Sequence, residues 1–237
     1  MKTAQTYLNG NTYPGRGLLI GQHCDGQHAV IAYFIMGRSE NSRNRVFTTD
    51  GSGLRTYPFD PSRMKDPSLV IYSPVRVLGN QVIVSNGDQT DTIYEHLSEG
   101  KSFEDALRTR EYEPDEPLYT PRISGLLTKK GRSSFSYKLS ILKASESAQK
   151  VCQRFFYEYS EPVVGEGHLI HTYLRDGHPV VPSFAGEPVR VSISGSIDAY
   201  TRTLWSALDA DNKVALFVRY INLLTGETQT KIENINR

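Results

Sequence analysis

Apolar residues occur along this chain in short runs separated by turn residues, a pattern that predicts β-strands rather than long helices. Two of these runs flank Asp25-Gly26, a dipeptide that is a strong hairpin signal between apolar segments. Because hairpin strands are antiparallel, Arg16 at the start of one strand and Arg38 after the other are expected at the same end of the sheet. The predicted strands are residues 16–21, 29–36, 68–73, 76–85 with a turn at Gly79-Asn80, 133–142 and 213–224, with a strand-like segment at 165–173.

Two segments show helical periodicity, namely 92–108, which is interrupted near Gly100, and the amphipathic 196–208. Within the first, Ser102 followed by Asp105 resembles an N-cap with an acidic residue at the third helical position. The remaining segments are one that fits helix or strand equally well, 148–159, and two predicted loops, 5–15 and 50–68. Strands interrupted by a few helices predict an antiparallel α+β layered domain.

The length of 237 residues is compatible with one large domain, since sheet-rich folds of this size are often single. Hydrophobic residues make up 38% of the chain and charged residues 22%, so a core can form. The 27 Lys and Arg residues nearly balance the 26 Asp and Glu residues. This balance argues against a protein that binds nucleic acid, which normally carries a basic excess. A small anion bound locally is the expected partner.

Metal, disulfide and membrane chemistry find little support in the sequence. The two cysteines, Cys24 and Cys152, form no Cys-x-x-Cys pair. His168 and His171 are three residues apart in a glycine-flanked, strand-like segment without an obvious third ligand, so we expect no metal and no cofactor. The N-terminus lacks an apolar signal core, and no stretch approaches the roughly 18 apolar residues of a membrane span. A soluble, cytoplasmic protein is expected.

A cluster of arginines follows the second predicted strand. Arg38, Arg43 and Arg45 lie among short hydrogen-bonding side chains, between the apolar run ending at Met36 and the apolar pair at 46–47. Arginine presents a planar fork of donors that matches phosphate or carboxylate. A solvated basic turn is the alternative, but the apolar flanks indicate a backbone held on both sides. The cluster therefore predicts an anion site.

Carboxylates are concentrated in two stretches, 86–91 and 111–116, each beside a predicted strand end. Asp88 and Asp91 also suit helix capping or a turn, and for one of them that role is accepted here. A carboxylate that handles protons beside arginines that bind phosphate is a division of labour common in nucleotide-converting enzymes. The residues alone indicate a small anionic ligand without naming it.

Five blocks of sequence together resemble the archaeal-type IMP cyclohydrolase family. They occur in family order and span most of residues 13–185, and the set is more specific than any one block. The blocks are residues 13–17 (YPGRG), 33–45 (YFIMGRSENSRNR), 85–91 (SNGDQTD), 119–125 (YTPRISG) and 168–173 (HLIHTY). The region after Ala185 resembles the family only weakly, so packing, an oligomer interface and a branch-specific function stay open for it.

The resemblance implies the last step of purine biosynthesis, in which 5-formamidoimidazole-4-carboxamide ribotide closes to IMP with loss of water. It also implies a four-layer αββα sandwich like that of the N-terminal-nucleophile hydrolases, one domain over residues 1–237, and a homo-oligomer. Because the chain begins Met1-Lys2, we expect no N-terminal Thr, Ser or Cys base unless the chain is cleaved. Ring closure needs no such nucleophile, and formylation is expected to belong to a separate protein.

The reaction requires a proton acceptor, an oxyanion donor and a phosphate clamp, and the blocks supply candidates. Arg16 and Arg38 are assigned to the reacting groups. The candidates for proton handling are Tyr72 and Glu116, with Asp88 and Glu113 in reserve. The expected phosphate contacts are Arg45 and Ser39. The other expected substrate contacts are Asn44, Asp88, Arg122 and His171.

Two alternative functions are also compatible with the sequence. One is an amide hydrolase of the same fold, which would need a processed N-terminus and act on a linear amide. The other is a non-catalytic purine-nucleotide sensor that keeps the arginines and lacks turnover.

Overall fold

The computed structural model describes residues 1–145, 148, 151–178 and 180–237. Its strands are β1 (Lys2–Thr3), β2 (Arg16–Gln22), β3 (His28–Met36), β4 (Arg45–Asp50), β5 (Gly53–Pro58), β6 (Val75–Leu78), β7 (Gln81–Ser85), β8 (Arg122–Lys130), β9 (Ser134–Ala144), β10 (Cys152–Tyr159), β11 (Glu166–His171), β12 (Val189–Ser192), β13 (Lys213–Asn222) and β14 (Thr228–Asn234). Its α-helices are α1 (Ala4–Leu8), α2 (Glu40–Arg43), α3 (Gln89–Ser98), α4 (Phe103–Arg108) and α5 (Ile197–Ala207), with a 3₁₀ turn at Pro61–Arg63.

The strands form two seven-stranded sheets. The first has the order β1-β12-β11-β2-β3-β13-β14, and the second has the order β10-β9-β8-β7-β6-β5-β4. Only the short pair β1–β12 is parallel among the described strand pairs. The predicted α+β class with mainly antiparallel sheets is confirmed.

Three apolar clusters define the layers. The largest lies between the sheets and joins β2 and β3 to β8 and β9 through residues such as Ile20, Ile31 and Leu139. A second cluster packs α1 and α5 on the outer face of the first sheet. A third packs α3 and α4 on the outer face of the second sheet, around Ile93 and Phe103. Helix, sheet, sheet and helix therefore follow one another through the molecule.

Several elements predicted from local sequence signals are confirmed. The β2–β3 hairpin pairs Arg16 with Ile35, so the chain leaves β3 beside the start of β2. Ser102 caps α4, and its hydroxyl and the Asp105 carboxylate form a reciprocal capping box. The helix expected at 196–208 is α5, and 152–159 of the ambiguous segment is the strand β10; residues 149–150 of that segment lie outside the described residues.

Four local predictions were wrong. The predicted loop 50–68 contains β5, whose Leu54 and Thr56 are buried while Arg55 and Tyr57 are not. The predicted strand 68–73 is irregular, and Tyr72 exchanges hydrogen bonds with Thr56 instead of joining the sheet ladder. The lead-in at 5–15 begins with helix α1, and β14 follows the strand predicted to be last. The two missed strands pair with their neighbours along the chain, β5 with β4 and β14 with β13, although their few apolar residues gave no strand signal.

Candidate functional site

A polar cavity of about 270 Å³ opens at the end of the sandwich where β2 begins and β3 ends. Its walls come from the loop after β3, the irregular segment before β6, the loop before β8 and the residue pair after β11. They include three residues predicted for the site, Arg16, Arg38 and Ser39, together with the reserve carboxylate Glu113. The other lining residues are Tyr13, Met36, Asn41, Ser42, Asp66, Leu69, Val70, Asp115, Leu118, Thr120 and Tyr173.

Two glycines allow the cavity walls to come together. Gly15 has φ +77°, and a Cβ there would lie 2.2 Å from the Thr172 hydroxyl. That close approach lets the Arg16 backbone donate to Thr172 Oγ1 at 3.1 Å. A Cβ on Gly37 would lie 2.6 Å from Ser42 Oγ, so this glycine lets the arginine-bearing turn fold against the end of β3.

The centre of the site is a buried ion pair between Arg16 and Glu113. Arg16 Nη2 lies 3.5 Å from Glu113 Oε2, and Glu113 is only 1% exposed. Burial raises the pKa of Glu113 to about 7, although the charges of Arg16 and Arg122 oppose the shift. Burial opposes the charge on Arg16, but the Glu113 carboxylate and three nearby tyrosines together outweigh it and raise the pKa of Arg16. Glu113 therefore exchanges its proton near neutral pH beside a permanent cation.

One oxygen of Glu113 is available for further chemistry. Oε1 is buried and has no hydrogen-bond partner among the described residues. The Glu113 backbone donates to Thr120 O at 2.9 Å, which fixes the loop between α4 and β8. A buried acceptor without a partner is costly, so such groups in native proteins commonly mark a functional role. An Oε1 atom without a partner leaves Glu113 able to accept a proton from a bound ligand.

A short polar chain continues from this loop. The Thr120 hydroxyl contacts both the Asp115 carboxylate and, at 2.5 Å, the Tyr173 hydroxyl. Burial raises the pKa of Tyr173 well above its usual range, so Tyr173 is a neutral donor at physiological pH. Sequence reasoning did not single out Asp115, Thr120 or Tyr173 individually, although Thr120 and Tyr173 belong to the family-like blocks.

Arg38 lies at the mouth of the cavity. Its Nη1 donates to Asp176 Oδ1 at 2.6 Å and to Gly177 O at 3.1 Å, and its guanidinium lies 4.6 Å from the Tyr13 ring centroid. One third of the side chain is exposed. Ser39 and Ser42 follow in a capping box at the start of α2, with their hydroxyls 3.0 Å apart. A ligand entering from solvent would meet these groups first.

Arg45 lies behind the cavity wall. It is fully buried, its Nε donates to Ser42 O at 2.7 Å, and both terminal nitrogens have no partner among the described residues. Burial lowers the pKa of Arg45, and Arg16 acts in the same direction. Tyr72 is buried beside it and shares a 2.8 Å hydrogen bond with Tyr33. These groups act on the cavity through their charge and dipoles rather than by lining it.

Other predicted site residues lie outside the cavity lining. His171 is buried, with Nε2 2.8 Å from the Tyr7 hydroxyl and Nδ1 2.7 Å from Tyr173 O. Because a carbonyl only accepts, Nδ1 carries the proton, and burial lowers the pKa of His171 to about 4. His171 is thus a neutral support beneath Tyr173.

Asn44, Arg122, Asp88 and Glu116 are likewise placed away from the lining. Both amide atoms of Asn44 bond the backbone of Asp60. Arg122 donates to Asp88 at 2.7 Å and to the Gln89 side chain, and it reaches the cavity only through its charge on Glu113. Glu116 is exposed, so the structure brings Glu113 and not Glu116 to the arginines.

A larger cavity, of about 850 Å³, lies at the opposite end of the sandwich among the turns of four hairpins. Its charged lining residues are two cations, Arg219 and Lys129, and it contains neither a carboxylate nor a tyrosine. That lining offers no group for proton transfer near neutral pH. The smaller cavity is therefore the candidate active site. In the described part of the chain, none of the helices is long and apolar enough to cross a membrane.

Comparisons with known proteins agree with this geometry. A family model described as IMP cyclohydrolase-like protein matches residues 13–227, which include every residue lining the polar cavity. The chain is 35% identical over 126 residues to an IMP cyclohydrolase of Methanothrix thermoacetophila, covering 52% of this chain and 60% of that protein. It is 30% identical over 165 residues to an IMP cyclohydrolase of Methanopyrus kandleri, covering 68% and 75%. The aligned stretch thus spans less than two thirds of the Methanothrix protein. The match over nearly the whole chain shows that it belongs to the IMP cyclohydrolase-like protein family.

Proposed function

We propose that this protein is an IMP cyclohydrolase, closing 5-formamidoimidazole-4-carboxamide ribotide to IMP and water. The observation that carries the proposal is the buried Glu113 carboxyl, poised near pH 7 beside Arg16 in a cavity that Arg38 also lines. A carboxyl with this pKa is suited to give and take protons at neutral pH. The relatives named above are IMP cyclohydrolases, which supports the same reaction here.

Ring closure moves two protons, and one carboxyl serves for both. The carboxamide nitrogen attacks the formyl carbon while Glu113 accepts a proton from that nitrogen. The formyl oxygen gains negative charge, which Arg16 stabilises, and then takes the proton from Glu113 to form a hydroxyl. Glu113 next accepts the proton of the formamido nitrogen and returns a proton to the departing hydroxyl. The products are IMP and water, and Glu113 ends as it began.

The phosphate of the ribotide is assigned to the cavity mouth, at Arg38, Ser39 and Ser42. These groups are accessible, whereas the terminal nitrogens of Arg45 are sealed from solvent. Arginine with neighbouring hydroxyls is a common phosphate-binding set. The difference in accessibility supports roles other than those expected from the sequence. Arg38 binds the phosphate, and Arg45, which lies behind the wall, contributes positive potential to the cavity.

Arg38→Ala is expected to raise the Michaelis constant roughly 10- to 100-fold with little change in kcat. Charge-assisted hydrogen bonds are worth about 1.5–3 kcal/mol, and phosphate contacts act equally on substrate and transition state. Steady-state kinetics in an ultraviolet assay of IMP formation measures both constants. Arg43→Ala, at an exposed arginine outside the cavity, is the matched control. A fall in kcat at constant Michaelis constant would return Arg38 to the reacting groups.

The rate is expected to depend on pH through Glu113. Because burial raises its pKa to about 7, the carboxylate needed as a base is lost as pH falls through 7. Both kcat and kcat/KM should therefore decline on the acid side with one protonation. The second pKa of the substrate phosphate is about 6, so kcat, which reports the bound complex, is the decisive profile. A kcat independent of pH from 5.5 to 8.5 would contradict this role.

The first experiment is turnover itself, followed by ultraviolet absorbance with the formylated ribotide against the uncatalysed background. IMP formation at enzymatic rates supports the proposal. Binding of IMP without turnover would instead favour a nucleotide sensor. The homo-oligomer and the kinship with N-terminal-nucleophile hydrolases are part of the same proposal. The layer order helix-sheet-sheet-helix supports that kinship, and light scattering tests the oligomer.

A further inference from the structure

Three side chains with metal-binding atoms meet at the β2–β3 hairpin turn. His23 follows β2, His28 begins β3, and Asp25 lies in the turn between them. Their ring nitrogens and carboxylate oxygen all lie within 4.8 Å of one another. The His23 backbone N–H donates to His28 O at 2.9 Å, which closes the turn. The cluster is thus held by the hairpin itself.

The Asp25 carboxylate is oriented by the turn backbone. Its Oδ1 accepts from the backbone N–H of Gln27 at 2.7 Å and from that of His28 at 3.2 Å. The other oxygen, Oδ2, is left facing both imidazoles, 3.0 Å from His23 Nδ1 and 2.8 Å from His28 Nδ1. Two ring nitrogens and one carboxylate oxygen therefore converge.

The hydrogen bonding of His23 indicates which of its two ring nitrogens carries the proton in the neutral side chain. His23 Nε2 lies 3.0 Å from the backbone carbonyl of Gly195, and a carbonyl only accepts, so Nε2 carries the proton. In a neutral imidazole Nδ1 then holds a lone pair, which accepts a hydrogen bond from the Asp25 backbone N–H at 3.2 Å and also lies 3.0 Å from Asp25 Oδ2. The carboxylate thus places a second acceptor beside this nitrogen, an arrangement that a bound cation would stabilise. Donation of the far ring N–H to a carbonyl is also the usual arrangement of a metal-ligating histidine.

We propose that His23 Nδ1, His28 Nδ1 and Asp25 Oδ2 bind a late first-row divalent cation, Zn²⁺ in the first place. Two imidazoles and a carboxylate suit Zn²⁺, Ni²⁺ or Cu²⁺ and disfavour Mg²⁺. Bonds of about 2.0–2.1 Å in a tetrahedral site place ligand atoms about 3.3 Å apart, so the two Nδ1–Oδ2 contacts need to lengthen by about 0.3–0.5 Å. A third of the Asp25 side chain is exposed, which leaves room for water as the fourth ligand.

The site is separate from the candidate active site. Six residues of extended β2 chain lie between Arg16 and His23, a distance of roughly 20 Å. The metal would fasten the β2–β3 hairpin, and through Gly195 it would reach the segment that precedes α5. We therefore expect it to stabilise the fold without entering the ring-closure chemistry. The inference does not depend on the proposed function.

Isothermal titration of the metal-free full chain with Zn²⁺ tests the proposal. We expect one equivalent to bind, a matching rise in Tm by linkage, and no binding of Mg²⁺ under the same conditions. Asp25→Asn keeps the Oδ1 acceptor for the turn backbone, and His28→Gln changes a partly exposed side chain. Each should weaken Zn²⁺ binding at least tenfold while circular dichroism stays that of the wild type.

Two control variants exclude adventitious binding. His178→Gln removes an exposed histidine elsewhere, and Cys24→Ser removes the thiol next to the cluster, 3.8 Å from the other ring nitrogen of His23. Both should bind Zn²⁺ as the wild type does. Failure of the wild type to bind one equivalent would overturn the proposal. Equal affinity in Asp25→Asn, His28→Gln and the wild type would overturn it as well.

Discussion

Glu113→Gln is expected to lower kcat by about 10²- to 10⁴-fold, the usual contribution of a positioned general acid-base. The amide keeps the size of the carboxyl but takes up no proton from the carboxamide nitrogen. The substitution also puts a neutral amide in place of a buried carboxyl whose raised pKa favours its neutral form, so the fold should tolerate the change. Stopped assays of IMP formation, with Tm measured in parallel, separate lost chemistry from lost stability.

The matched variant is Glu116→Gln, three residues along the same acidic loop. Glu116 is one of the two candidates for proton handling expected from the sequence, beside Tyr72, but its side chain is exposed and outside the cavity lining. We expect this variant to keep turnover within a few-fold of the wild type. The opposite pair of results, an inactive Glu116→Gln and an active Glu113→Gln, would transfer the role to Glu116.

Arg16→Met should lower kcat by about 10²- to 10³-fold, the typical loss when one donor to a developing oxyanion is removed. Methionine fills a similar volume without the charge. Arg16 also opposes the upward shift of the Glu113 pKa, so its removal should move the acid limb of the kcat profile to higher pH. A pH series for the wild type and the variant measures both effects.

Arg16→Lys separates charge from geometry. A lysine restores a cation beside Glu113 but not the planar fork of donors. The acid limb should therefore return toward that of the wild type while kcat stays reduced. An acid limb that does not move in Arg16→Met would show that the titrating group is not Glu113.

How far the site could be predicted differs from residue to residue. Arg16, Arg38 and Ser39 were found from sequence because a hairpin signal and an arginine-rich turn are local features, and all three line the cavity. Arg45 was expected at the phosphate, but it lies behind the wall, which the sequence did not indicate because alternation along β4 does not show which side a long side chain takes. Thr120 and Tyr173 were marked only as members of the family-like blocks, and Asp115 carries no local signal that separates it from ordinary turn residues.

The sequence by itself determined the β2–β3 hairpin, the capped helix α4 and the resemblance to the family, because turn dipeptides, capping pairs and short motifs act over a few residues. Only the tertiary structure decided which carboxylate meets the arginines. Glu113 and Glu116 share one acidic loop, and the contact that distinguishes them joins Glu113 to Arg16, 97 positions earlier in the chain. The same holds for the pKa of Glu113, because burial is a property of the assembled sheets and not of any stretch of sequence.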